Sequence, residues 1–222
     1  TMPVDWTDDT FLPFNWGHTA FVYDATKMDA PASFQALLDA PDTLRIAIQD
    51  PRTSVSGLAL ALWIHKVFGD DAEAAWAKLA PKIVTVTKGW SEAYGMFTEG
   101  EVDMVLSYTT SPAYHIIAEG DETKKAAIFP EGHYVMVETA AQLAMTDQPD
   151  LAQAFMDFIL TEDFQSIIPE GNWSLPAKLD PAKMPAGFAN LPLPDVALIY
   201  DSAEAEALRD IVVAEFEAGL GR

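Results

Sequence analysis

The stretch RIAIQDPRTSVSGLALALWIHKVFG, residues 45–69, decides how the rest of the chain is read. Arg45 to Ile48 is short and apolar, as a buried strand requires, and Asp50-Pro51 ends it because proline has no donor for a sheet ladder. Ser54 or Ser56 can then cap an apolar helix that runs to about Phe68, where Gly69 closes it. A strand, a polar turn and a helix in that order form one unit of an α/β fold.

The same unit recurs downstream. Asp70 or Asp71 caps a further helix with Ala75, Trp76 and Leu79 on one face. Ile83 to Val86 reads as a strand and Ser91 to Phe97 as a helix; Asp103 to Ser107 reads as a strand, and a helix over Ser111 to Ala118 opens near Thr110. Upstream, Phe14 to Tyr23 is extended and rich in aromatic and β-branched residues. This alternation predicts a doubly wound sheet with ligands outside the carboxyl ends of its strands.

From Gly132 the pattern changes to one long strand and an apolar turn, with helices over Pro149 to Leu160 and Glu162 to Ile168. Pro169 to Pro194 is rich in proline and glycine and predicts an irregular connection. A last amphipathic helix covers Ser202 to Ala218, with Ala203, Ala207, Ile211, Val212 and Phe216 facing the core.

Composition narrows the function classes. The 222 residues are half hydrophobic, enough for a sizeable core. Thirteen Lys and Arg against 34 Asp and Glu give a net charge of −21, which repels a phosphate backbone and excludes nucleic acid as a partner. There is no cysteine, hence no disulfide framework or thiolate chemistry. Gly57 to Ile64, the longest apolar stretch, is far shorter than the ~20 residues of a spanning helix. The chain opens at Thr1-Met2-Pro3 without a basic and apolar leader, so an export signal is expected to be either absent or removed.

No motif for acyl transfer, nucleotide hydrolysis or dinucleotide binding occurs, and the four histidines, His18, His65, His115 and His133, lack metal-ligand spacing. What stands out instead are polar and aromatic clusters where strands end: QDPRTS (49–54), TKGW (87–90), SYTTSPAY (107–114) and GNW (171–173). Arg52-Thr53-Ser54 and Thr109-Thr110-Ser111 each precede a helix, where free N–H groups favour an anion or a polar head. A cap is the commoner reason for such residues taken singly. Trp90 and Trp173, beside glycine and polar neighbours, read as turn residues. With Tyr108 and Tyr114 they could form an aromatic cage for a flat cation, each face contributing about 0.5–2 kcal/mol.

These motifs, together with KVFGDDAEAAWAKLA and IPEGNW, resemble the periplasmic thiamine-binding proteins, solute-binding components of bacterial ABC importers. The resemblance runs from about Asp9 to Trp173 and more loosely beyond. It implies a type 2 periplasmic-binding-protein fold of two α/β lobes, with residues 15–138 forming one complete lobe and residues 1–14 and 139–222 supplying crossing strands and the C-terminal part of the other. In that family a longer N-terminal stretch forms most of the first lobe and one cleft wall.

The resemblance further implies capture of thiamine or a thiamine phosphate, no catalysis and no cofactor, delivery to a membrane permease, a periplasmic location and a monomer. Ser54 would face the phosphate or hydroxyethyl end. Trp90, Tyr108, Tyr114 and Trp173 would face the rings, with Tyr114 and Trp173 flanking the pyrimidine. Two alternatives stay open. A ferric receptor of the same fold would use tyrosines as ligands, although Tyr108 and Tyr114 are not adjacent. A thiamine-pyrimidine enzyme would need a nucleophile or cofactor lysine, for which Lys88 is the nearest candidate.

Overall fold

The computed structural model describes residues 2–221; Thr1 and Arg222, the outer ends of the 1–14 and 139–222 segments, lie outside the described residues. In chain order the elements are β1 (Leu12–Asp24), α1 (Phe34–Leu38), β2 (Ile46–Gln49), α2 (Val55–Phe68), α3 (Ala72–Leu79), β3 (Ile83–Thr87), α4 (Trp90–Thr98), β4 (Met104–Tyr108) and α5 (Ser111–Tyr114). A π-helical turn, His115–Glu119, extends α5. Then follow β5 (Lys124–Ala126), β6 (His133–Ala140), α6 (Pro149–Phe158), α7 (Glu162–Gln165), α8 (Ile168–Gly171), β7 (Leu175–Pro176), α9 (Ala186–Ala189), β8 (Ala197–Leu198) and α10 (Ser202–Gly219).

One mixed sheet runs β3-β2-β4-β1-β6-β8, with β5 and β7 also paired to β1. β2 pairs in parallel with both β3 and β4, the arrangement that the strand–helix alternation predicts. β1 is antiparallel to its neighbours and changes partner along its length. Residues up to His18 pair with β6, and Thr19 to Tyr23 pair with β4. Its last ten residues are all buried, which explains an unbroken aromatic and β-branched run rather than an alternating one.

The main core lies on one face of the sheet. Trp63 of α2 is fully buried and packs against Phe21, Phe34, Phe129 and His133, while Trp76 of α3 meets Phe216 of α10 edge-on at 5.0 Å. Each such side chain removed from water stabilises the fold by about 1.5–3 kcal/mol. A second cluster, Val22, Ala47, Ala93, Tyr94, Phe97, Val102 and Val105, packs α4 onto the opposite face. Gly57 is required where α2 meets the preceding turn, because a Cβ there would lie 2.4 Å from the Gln49 carbonyl oxygen.

Three expectations need correction. Trp90 is the first residue of α4 rather than part of a turn, since Gly89, in extended backbone, serves as its N-cap. On α10 the inward stripe is Val212 and Phe216, with Leu208 and Leu220 packed beside them; Ala203, Ala207 and Ile211 are exposed. The helix is phased by its contacts with α2 and α3, and a stripe shifted by one residue reads almost as well in the sequence. The 169–194 connection is less irregular than its composition suggests, because β7 joins the sheet beside Asn15 and Trp16.

Candidate functional site

β1's change of partner creates the site. Tyr108, the last residue of β4, lies opposite Thr19, while Glu138 of β6 lies opposite Asn15. Side chains from the two strand groups therefore meet where β1 passes from one to the other. A cleft of about 600 Å³ opens there, lined by Trp90, Tyr94, Tyr108, Tyr114, Trp173 and the carboxylates Glu119 and Glu138, with Ser91, Thr98, Ser111 and Asn172 among the polar groups.

Each ring is held by a specific contact. Trp90 is 37% exposed, stacks on Tyr94 at 4.6 Å and 20°, and donates its indole N–H to Ser107 Oγ at 2.8 Å. Ser107 Oγ in turn shares a hydrogen bond of 2.7 Å with Ser111 Oγ. Tyr108 shares one of 2.6 Å with Ser56 Oγ, near the start of α2, and its hydroxyl donates to Met136 Sδ at 3.4 Å. Tyr114 and Trp173 meet edge to face, 5.2 Å apart at 85°. They are thus perpendicular to one another; the parallel pair in this cleft is Trp90 and Tyr94.

Trp173 has φ 52°, in the left-handed region that a bulky residue rarely adopts. Strain of this kind costs on the order of 1–3 kcal/mol and concentrates at binding sites. Asn172, beside it, donates to Glu138 Oε2 at 3.3 Å, and Asn15 donates to the same oxygen at 2.9 Å. These bonds fix the Glu138 carboxylate at the cleft.

Ser54 stands apart from the lining. It occupies the N-cap of α2 with extended backbone and makes no capping bond through its hydroxyl. The turn that carries it adjoins the cleft, since Thr53 Oγ1 donates to the Lys88 carbonyl at 3.0 Å, two residues before Trp90. Arg52 is engaged elsewhere: its guanidinium meets both Asp50 oxygens and Glu217 of α10, at 2.6–2.9 Å. Thr109 and Thr110 are buried, and Lys88 is exposed and outside the lining.

Electrostatically the cleft is one-sided. It is lined by two carboxylates and by no lysine or arginine among the described residues. Burial pushes the phenols of Tyr94 and Tyr108 above their ordinary range, so both stay neutral at physiological pH. No group of three or more His, Cys, Asp or Glu among the described residues is placed to hold a metal. No described helix is long and apolar enough to cross a membrane. Sequence reasoning missed Tyr94, Glu119 and Glu138. Tyr94 was findable as the residue four places after Trp90 on a helix, whereas two carboxylates among 34 carry no signal of their own.

Comparison with known proteins places this geometry. Residues 2–166 match the family model described as bacterial extracellular solute-binding protein. The thiamine-binding periplasmic protein of Escherichia coli strain K12 is 50% identical over 222 residues, which is all of this chain and 67% of that protein. The solved structure of a periplasmic thiamin binding protein superposes with TM-score 0.95 at 50% identity, covering 100% of this chain and 69% of that one. A ferric binding protein from Campylobacter jejuni matches with TM-score 0.77 at 13% identity, over 96% of this chain and 71% of its own, a likeness of fold alone. The chain belongs to the bacterial extracellular solute-binding proteins.

Proposed function

We propose that this chain is a thiamine receptor for a bacterial ABC importer, capturing the vitamin in the cleft and presenting it to a membrane permease. The observation that carries the reading is the lining: five aromatic rings and two carboxylates, with no lysine or arginine among the described lining residues. Thiamine is a flat cation with a polar tail. Aromatic faces attract a cation by about 0.5–2 kcal/mol each, and a carboxylate in a partly desolvated cleft adds to this. The 50% identity to the thiamine-binding periplasmic protein of E. coli supports the same ligand.

In this reading Trp90, Tyr108, Tyr114 and Trp173 meet the rings, while Ser54, at the N-terminus of α2, faces the hydroxyethyl or phosphate end. Residues 15–138 act as one lobe, and residues 1–14 and 139–222 contribute crossing strands and part of another. The protein works in the periplasm as a monomer and performs no catalysis.

Titration with thiamine, followed by tryptophan fluorescence, tests the proposal. A saturable change that Trp90→Ala reduces is expected. A wild-type signal that never saturates contradicts it.

A further inference from the structure

The chain Trp90–Tyr94–His115–Glu119 has both ends on the cleft and its centre buried. Trp90 stacks face to face on Tyr94, whose hydroxyl lies 2.9 Å from His115 Nε2. His115 Nδ1 lies 2.6 Å from Glu119 Oε2. A carboxylate only accepts, so Nδ1 carries a proton, and in the neutral ring Nε2 accepts from the Tyr94 O–H. The imidazole is 1% exposed and does not line the cleft, whereas Trp90 and Glu119 both do.

The backbone is arranged for this. His115 and Glu119 bound the π-helical turn after α5, an irregularity that recurs at functional sites and here sets the two side chains four residues apart on one face. Tyr94 also stacks on the imidazole, 5.9 Å between centroids at 23°, so ring order runs from Trp90 through Tyr94 to His115. The indole edge is pinned separately by Ser107. The face and the carboxylate that a flat cation would meet are therefore joined through one buried histidine.

We infer that His115 is a positioning residue for ligand recognition, coupling the aromatic wall formed by Trp90 and Tyr94 to the Glu119 carboxylate so that the two act as one cation-selective unit. This rests on the thiamine reading of the cleft. Tyr94→Phe removes the hydroxyl bond to the imidazole and Glu119→Leu removes the acceptor at Nδ1 at similar size, which avoids the folding loss expected from truncating a buried histidine. Calorimetric titration with thiamine should show each variant weakened by roughly 3- to 10-fold, and the double variant weakened little more than the worse single one. Losses that multiply, or singles that bind as wild type does, overturn the coupling.

A second readout needs no ligand. Acrylamide quenching assigned to Trp90, by difference from the matching Trp90→Phe protein, should rise in both Glu119→Leu and His115→Gln, although the indole N–H itself bonds to Ser107. Unchanged quenching overturns the proposal. If wild-type protein fails to bind thiamine while quenching rises as expected, the thiamine reading has failed and the positioning role stands.

Discussion

The two sides of the cleft are built to different standards. Trp90, Tyr108 and Tyr114 stand on α4, β4 and α5 of a sheet covered on both faces: β4 is buried up to Tyr108, α4 packs Ala93, Tyr94 and Phe97 against one face, and α2, on the other, hides eight of its fourteen residues. Trp173 follows α6, α7 and α8, where apolar groups lie in the open. Met145 is 94% exposed, Leu151 63% and Phe155 54%, and α6 has no buried residue although its apolar and polar faces are clearly separated. The first side is preorganised by its own packing, whereas the second holds its ring through local contacts to Tyr114 and a strained backbone.

Removing the core's keystone should have the largest effect. Trp63→Ala abolishes the aromatic stack and the indole bond to the Gly132 carbonyl, 2.9 Å long. A loss of about 3–5 kcal/mol in urea unfolding is expected. A loss below about 1 kcal/mol would mean that the sealed side is not sealed by this residue.

Acid should act on the same side. His133 is buried, donates from Nδ1 to the Thr19 carbonyl at 2.7 Å and accepts the Phe129 N–H at Nε2 at 2.8 Å, so it is held neutral. Burial pushes it down to about 4; His18, buried beside it, is lowered to about 4 by burial and by the proximity of His133. Unfolded, each titrates at 6.5, so between about 6.5 and 4 the unfolded chain binds more protons than the folded one. Stability is therefore lost as pH falls through that window, on the order of a few kcal/mol for the pair. Urea unfolding at pH 7 and pH 5 checks this, and His133→Asn should reduce the difference while leaving the part that the burial of His18 contributes.

On the other side, effects on stability should be small. Trp173→Gly relieves the left-handed backbone while deleting the ring. Stability should change by less than about 1 kcal/mol, while thiamine binding weakens tenfold or more. Phe155→Gln on α6, where Phe155 is 54% exposed, should leave urea unfolding within about 0.5 kcal/mol. A large destabilisation in either would erase the contrast between the two sides.

The sealed side was also the legible one. The apolar run of α2, capped at Ser54 and closed by Gly69, fell where residues 45–69 placed it, because burial of nearly all of Ser56 to Ile64 leaves no alternative phase. Short elements escaped. Lys124–Ala126 forms β5 only because β1 offers a free edge, and nothing in Lys-Lys-Ala signals a strand. Four of the five predicted binding residues line one cleft, and Ser54 lies outside its lining. The carboxylates were illegible since Glu119 and Glu138 gain meaning only from His115, Asn15 and Asn172, which the fold brings to them.

The central claim, that this cleft selects a flat cation, is tested most directly by calorimetric titration of the 222-residue chain with thiamine and, in parallel, with its neutral aminopyrimidine half. Saturable thiamine binding at least about tenfold tighter than the neutral compound, with Glu119→Gln narrowing the gap, is the predicted result. Equal affinity for the two, or no thiamine binding, would contradict it.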